Sequence, residues 1–393
     1  MALEDKHQQQ QPDGIETSQS SPQSVLTILT EIIVEILSRL PVDSLLRCRS
    51  VCKLWRSLIS NHHFVNSHLT LSTRNNHYAH HRVIFSTSRR RILKTFNLYD
   101  ALYDSSVNAL KLDYPFKRPR KSVGIVGSCN GLLCISIEDD TLFIWNPSTR
   151  KSNSLPSYGY KARVWSTHYG FGYEESTDDY KVVEICVKFK ERYKCETFVK
   201  MYSLRNGNWK NIGAFPQMPG DYYGKCLNGA LHWVANGDLE WTASEVVIVS
   251  YDWNIISLDL ATETYGEVLQ PVYDEGDKDL TLGSLREWLC VLCNYRGIRA
   301  DLWVMKVYGV KDSWTKLVSI PYLTDPETDK FSVPLCISND GKILLQLGSK
   351  LIVYDSKNGS FSENQNFDKC VQASTFVESL VSPIPAAGLG DRF

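Results

Sequence analysis

From residue 82 onward the chain carries two alternating sets of turn signals at near-regular spacing, and this repeat restricts its fold more than any other feature. One set centres on Leu98, Trp145, Tyr202, Leu258, Tyr308 and Tyr354, successive members standing 47, 57, 56, 50 and 46 residues apart. In each, an apolar run ending in an aromatic residue or leucine meets a polar turn and then a second run, as in FIWNPSTRKSNSLP and IVYDSKNGSFSEN. The other set falls between, at Asn130-Gly131, near Ser176, at Asn228-Gly229, near Leu285 and at Asp340-Gly341. Asn-Gly and Asp-Gly suit two-residue hairpins because the central positions need positive φ. Two turns per repeat give four strands per repeat. Such a small sheet cannot bury both faces alone, so the units are expected to stack around an axis as propeller blades, with Trp and Tyr filling the space between them. The length accommodates five or six blades. A β-sandwich of irregular hairpins is the alternative, and the repeat spacing argues against it.

Before the repeat, the period is helical. Apolar residues at Ile32, Ile33, Ile36, Leu37 and Leu40, then Leu45, Leu46, Cys48, Val51, Cys52, Trp55, Leu58 and Ile59, recur every three or four positions. Pro41 ends the first helix, and Asp43 is expected to cap the second. So short a segment cannot bury a stable core of its own and must pack on the following domain or on another protein. The expected organisation is a polar, disordered tail over 1–24, a helical domain over 25–69, a linker over 70–81, the β domain over 82–380 and a flexible tail over 381–393.

A net charge of −1 gives no global basic field, so neither nucleic acid nor an anionic membrane is an expected partner. Glu31, Glu35 and Arg39 interrupt the longest apolar helical run, which is too short to span a bilayer, and the Gln-rich start lacks a signal-peptide apolar region. A cytoplasmic location, a nuclear one or both is expected. The basic clusters 89–91 and 117–121 could serve nuclear import or phosphate contact, although the overall charge favours a solvated face. The 11 cysteines read as small buried hydrophobes, Cys290-x-x-Cys293 included, because that pair lies in an apolar strand without partners for a zinc tetrad. His77, His80 and His81 read as loop residues, His232 as a structural histidine within a strand, and Asp178-Asp179 as a solvated turn. None of the standard hydrolase, phosphate-loop, dinucleotide or metalloprotease signatures occurs. No catalytic residue, metal or cofactor is expected.

Several of these motifs carry a resemblance. Glu35-Ile36-Leu37-Ser38-Arg39-Leu40-Pro41-Val42, Ser44-Leu45-Leu46-Arg47-Cys48 and Val51-Cys52-Lys53-x-Trp55-Arg56-Ser57-Leu58-Ile59 resemble a plant F-box, with Leu29-Thr30 where that family usually opens on Leu-Pro. Gly127-Ser-Cys-Asn-Gly-Leu-Leu-Cys, Trp145-Asn-Pro-Ser-Thr-Arg, Leu227-Asn-Gly-Ala-Leu-His-Trp233 and Trp303-Val-Met-Lys resemble the F-box-associated domain of plant F-box/kelch-repeat proteins, including the constitutive-expresser-of-pathogenesis-related-genes type and, more distantly, S-locus F-box proteins. The resemblance implies a small all-α F-box followed by an all-β kelch-like propeller. It also implies a non-catalytic substrate-recognition subunit of an SCF-type cullin ubiquitin ligase, docking a Skp-type adaptor, and through it a cullin, while the propeller holds an unknown client protein.

On that reading the adaptor-binding residues are Leu29, Ile32, Ile36, Leu37, Pro41, Leu45, Leu46, Val51, Cys52 and Trp55, some of which must instead hold the helices together. Client contacts are expected from loops at one end of the propeller, at Trp165, Tyr222, Tyr223, Trp241 and Tyr273, some of which could fold back between blades. The acidic run Asp274, Glu275, Asp277 and Asp279 would favour a basic client surface. Two other readings stay open: a β-propeller enzyme acting on a small molecule or glycan, and an F-box scaffold acting without ubiquitylation.

Overall fold

The computed structural model describes residues 22–87, 92–104, 107–115, 121–138, 141–157, 164–189, 195–236, 239–241, 246–248, 253–322, 332–363 and 369–385. Four helices come first: α1 (Pro22–Ser38), α2 (Val42–Cys48), α3 (Lys53–Ser60) and α4 (His62–Thr73). After them the described strands form six blades.

Each blade is an antiparallel sheet, taken here from the axis outward. Blade 2 comprises Val123–Cys129, Leu132–Ile137, Thr141–Trp145 and Ser152–Ser154. Blade 3 comprises Val164–Glu174, Asp179–Phe189, Cys195–Ser203 and Asn208–Gly213. Blade 4 begins with the short segments Met218–Pro219 and Lys225–Leu227, both paired to Ala230–Asn236, and continues through Trp253–Asp259 and Tyr265–Val268; the hairpin of Leu239–Trp241 and Val246–Ile248 is inserted within it. Blade 5 runs Lys278–Leu285, Trp288–Tyr295, Arg299–Met305 and Trp314–Pro321; blade 6 runs Ser332–Ile337, Lys342–Leu347, Lys350–Asp355 and Ser360–Glu363. Blade 1 joins both ends of the chain, because Cys370–Val377 supplies its inner strand against His81–Thr87, Leu93–Asn97 and Leu110–Lys111.

The core is divided into six apolar clusters, one in each gap between blades. A strand in the middle of a blade therefore has a neighbouring blade on either face. This explains why Leu132–Ile137 is buried throughout and reads as a nearly continuous apolar run, broken only by Ser136, rather than an alternating one. Trp145 and Trp233, each no more than 1% exposed, lie in two of these gaps; full burial of such a side chain contributes about 3 kcal/mol. Polar side chains satisfy backbone groups across the gaps. Gln372 of blade 1 accepts from Ile125 N–H of blade 2 at 2.9 Å, and Trp233 Nε1 donates to the Tyr169 carbonyl at 3.2 Å.

Several local expectations give way to tertiary packing. The stretch after Asn97 is not a tight turn but a fifth helix, α5 (Leu98–Tyr103), capped by Asn97 and burying Leu98, Ala101 and Leu102. Pro41, not Asp43, occupies the cap position of α2; Asp43 sits in the first turn, where its charge suits the helix dipole. The segment 70–81 is not a free linker, since α4 runs to Thr73 and Tyr78 and His80 are buried. Asp179 is buried rather than solvated, accepting from Ser203 Oγ at 2.5 Å and Arg205 N–H at 2.8 Å. At the other end, Val381 is buried in the gap between blades 2 and 3, so the domain reaches past 380.

Candidate functional site

The inner strands run in one direction, and their first turns gather on one face of the propeller. Asn130-Gly131 and Asn228-Gly229 both have positive φ, as the hairpin chemistry requires. Val377, the end of the closing strand, reaches the same face and delivers the chain to the helical domain. There Glu378 N–H donates to the His80 carbonyl at 2.8 Å. Asn146, buried and in the Trp145-Asn146-Pro147 turn, donates to the carbonyls of Ser379 at 3.0 Å and Val381 at 2.7 Å. Its own oxygen accepts from the amides of Ser148 and Thr149 at 2.9 and 3.1 Å. Leu380, held between these contacts, enters the core of the helical domain. Val65 and Leu69 of α4 pack on the gap between blades 2 and 3, and His62 pairs with Asp178 at 3.3 Å. The helices are thus seated on the face that carries the first turns.

This seating divides the residues expected to meet an adaptor. Leu37 and Leu45 lie in the domain's own core with Val42, Ile59, Phe64 and Leu380, and so hold the helices together. Leu46 and Trp55 are half-buried against the same core. His68 fixes the corner between α1 and α2 by donating to the Leu40 carbonyl at 2.9 Å; burial lowers its pKa. Ile32 (51% exposed), Ile36 (57%) and Val51 (64%) remain open to solvent, as do Pro41 and Cys52, the latter capping α3 through its sulfur. Leu54, 50% exposed, is a further apolar residue open to solvent, beyond those the sequence predicts. An apolar residue in the first turn of α3, off the Trp55–Leu58–Ile59 stripe, was the available signal. Leu29 lies within α1.

The opposite face carries the connections into each inner strand, and the residues expected to meet a client map there. Trp165, at the start of the inner strand of blade 3, is 49% exposed and Tyr222, in the connection into blade 4, is 64% exposed. Tyr222 stacks on His168 with centroids 5.3 Å apart and planes at 11°. His168 is buried, which lowers its pKa, and it contacts Ser166 Oγ at 3.0 Å and the Asp221 carbonyl at 2.8 Å. Burial pushes the Asp221 carboxyl up to about 6, against the pull of Lys225. Tyr223 and Tyr273 turn inward instead, Tyr223 into the gap between blades 2 and 3 and Tyr273 against Trp303 between blades 4 and 5. Trp241 lies in the inserted hairpin of blade 4. Apolar Leu269, Val272 and Ile298 add exposed surface on this face, unforeseen because apolar residues beside strands resemble core.

The acidic run does not present bare charge. Arg296 pairs with Asp279 at 2.8 Å and Asp277 at 3.0 Å, and Arg299 pairs with Asp274 and with buried Asp301. The expectation of a basic client surface loses its basis here, because three of the four carboxylates already face guanidinium groups.

The sequence-predicted structural roles of other residues are visible in their contacts. His232 is fully buried between the Lys225 carbonyl at 3.1 Å and Tyr308 Oη at 2.7 Å, and burial holds its pKa down to about 4. Cys290 and Cys293 are buried within their strand. Residues 89–91 and 117–120 of the basic clusters lie outside the described residues. Among the described residues no group of three or more His, Cys, Asp or Glu side chains is arranged to hold a metal ion.

With a seated helical domain on one face and an exposed apolar and aromatic surface on the other, the architecture can be compared with known proteins. The F-box domain model matches residues 30–67, and that of the F-box associated beta propeller domain matches residues 82–382. The chain therefore belongs to the F-box proteins with an F-box-associated β-propeller domain. An F-box/kelch-repeat protein of Arabidopsis thaliana is 34% identical over 371 residues, covering 90% of this chain and 95% of that one. The F-box protein CPR1 of Arabidopsis thaliana is 31% identical, covering 90% and 89%. Among solved structures, an oligogalacturonate lyase in complex with manganese aligns with a TM-score of 0.42 at 11% identity, covering 72% of this chain and 78% of that one. So distant a likeness has no bearing on activity.

Proposed function

We propose that this protein is the substrate-recognition subunit of an SCF-type ubiquitin ligase, its F-box docking a Skp-type adaptor that binds a cullin and its propeller holding a client protein. The family membership supports the adaptor role. The observation that carries the reading is the separation of two apolar surfaces: Ile32, Ile36, Val51 and Leu54 on the F-box, and Trp165 and Tyr222 on the propeller face away from it. Apolar groups left in water by a folded domain mark sites that a partner covers. Opposed sites let one chain hold two partners at once.

No bond is made or broken by this chain on this reading. Its contribution is to turn an encounter between a client lysine and the ubiquitin-carrying enzyme into a tethered one of high effective concentration. Trp165 and Tyr222 are the client anchors, since exposed aromatics lose little rotamer entropy on binding. The place of action is the cytoplasm, the nucleus or both.

Affinity purification under proteasome inhibition tests the proposal. Wild-type chain is compared with an Ile32→Lys, Ile36→Lys, Val51→Lys variant, because deleting the F-box outright would bare Leu380 and the α4 seat. Adaptor and cullin should vanish from the variant while client proteins persist and accumulate. Retention of adaptor and cullin by the variant would refute it.

A further inference from the structure

The cysteines are not equivalent. Cys134, Cys186, Cys290, Cys293 and Cys370 are buried, and burial raises the thiol pKa of Cys134, Cys290, Cys293 and Cys370. Two others differ in setting. Cys129 ends the inner strand of blade 2, and Cys226 sits in the inner strand of blade 4. Both are half-buried, and their side chains interact with each other next to the backbone of Tyr173 in blade 3.

Three blades thus converge on one pair of sulfurs. The inner strands of blades 2 and 4 approach within 8 Å between Cα atoms, past the intervening strand of blade 3. Gly172 of that strand makes the approach possible, because a β-carbon there would stand 2.8 Å from Cys226 Sγ. The interaction with Cys129 lowers the Cys226 pKa and burial opposes it, with further help from the Tyr173 backbone; Cys129 moves the other way. Attack by Cys226 with Cys129 resolving, or the reverse, gives the same bridge.

We propose that Cys129 and Cys226 form a reversible redox site that closes to a disulfide between blades 2 and 4 on exposure to a peroxide. The Cys226 thiolate attacks one oxygen of hydrogen peroxide and the O–O bond breaks. The departing hydroxide takes up the proton that Cys226 had released and leaves as water, with a sulfenic acid at Cys226. Cys129 sulfur then attacks the Cys226 sulfur, the S–O bond breaks, and the hydroxyl leaves as a second water with the Cys129 proton. Two thiols and one peroxide give one disulfide and two waters, a two-electron oxidation; a dithiol reductant reverses it by exchange.

The bridge would reach the F-box seat. Cys129 precedes Asn130, whose carbonyl accepts from Ser379 Oγ at 2.9 Å, and Ser379 is the residue before Leu380 in the F-box core. Cross-linking the inner strands stiffens the ring directly beneath that contact.

The test is peroxide titration of the full chain, followed by blocking of residual thiols and non-reducing peptide mapping. Combined tryptic and chymotryptic cleavage separates Cys129 from Cys134 at Leu132 and Leu133. The expected result is one linked pair, Cys129 to Cys226, lighter by two hydrogens, lost on dithiol treatment and absent from Cys129→Ser and Cys226→Ser. These near-isosteric variants should melt with the reduced wild type, while oxidation raises the wild-type melting temperature alone. Failure of the pair to link while both thiols still alkylate would overturn the proposal. So would over-oxidation of Cys226 without a link, or a link that survives Cys129→Ser.

Discussion

Asn146 shows how one side chain joins the two domains. It satisfies two amides of its own turn and two carbonyls of the segment that carries Leu380 into the F-box. Asn146→Ala leaves these buried groups unpaired and should cost about 3 kcal/mol, read as a lowered denaturant midpoint together with faster proteolysis between F-box and propeller. The buried histidines set the pH response. His232 and His81 are held down to about 4, both by burial and His81 also by His80, and His68, His80 and His168 are lowered from their usual value. The unfolded chain binds these protons at higher pH than the folded one, so their contribution is complete above about pH 6.5 and is lost as pH falls toward 4. Asp221, pushed up to about 6, and Glu378, raised by burial against the pull of Arg82, act in the opposite sense as pH falls. With five histidines against two carboxyls, the urea midpoint should be lower at pH 5 than at pH 7. Replacing His232 by Gln should flatten that slope by up to about 1.4 kcal/mol per pH unit. The structural role of His232 was readable from its place between Leu231 and Trp233; the burial of Asp179 was not, because its partners Ser203 and Arg205 come from a different strand and turn.

Among the elements, the F-box helices separate what sequence can and cannot say. Apolar residues recurring every three or four positions identify α1 to α3, but they do not say which member of each stripe meets its own domain and which meets water. That division comes from α4 and from Leu380, the latter more than three hundred positions downstream of α3. Leu45→Ala should remove about 2–5 kcal/mol and unfold the F-box, seen as a separate early transition in thermal melting. Ile36→Lys should shift stability by about 0.5 kcal/mol or less while weakening adaptor binding. Trp55→Ala is less informative, because Trp55 packs partly on the F-box core and its loss would affect both properties. The helix α5 escaped the turn reading because Asn97, which looks like a turn residue, serves as a helix cap.

In the molecule as a whole, the propeller was legible because hairpin chemistry repeats, and five of its blades fall in consecutive stretches of chain. The sequence allows five or six blades because blade 1 is built from two distant stretches, and no local pattern pairs His81–Thr87 with Cys370–Val377. Truncation after residue 369 removes the closing strand as well as Leu380 and Val381, and should abolish soluble folded protein, judged by loss of β-type circular dichroism. The proposal that the molecule bridges adaptor and client rests on the exposed face of the F-box, and calorimetric titration of a purified Skp-type adaptor into the full chain tests it. Wild type should bind, Trp165→Ala with Tyr222→Ala should bind equally, and Ile32→Lys with Ile36→Lys should weaken affinity by about tenfold or more at an unchanged melting temperature. Wild-type affinity in the Ile32→Lys, Ile36→Lys chain would contradict it.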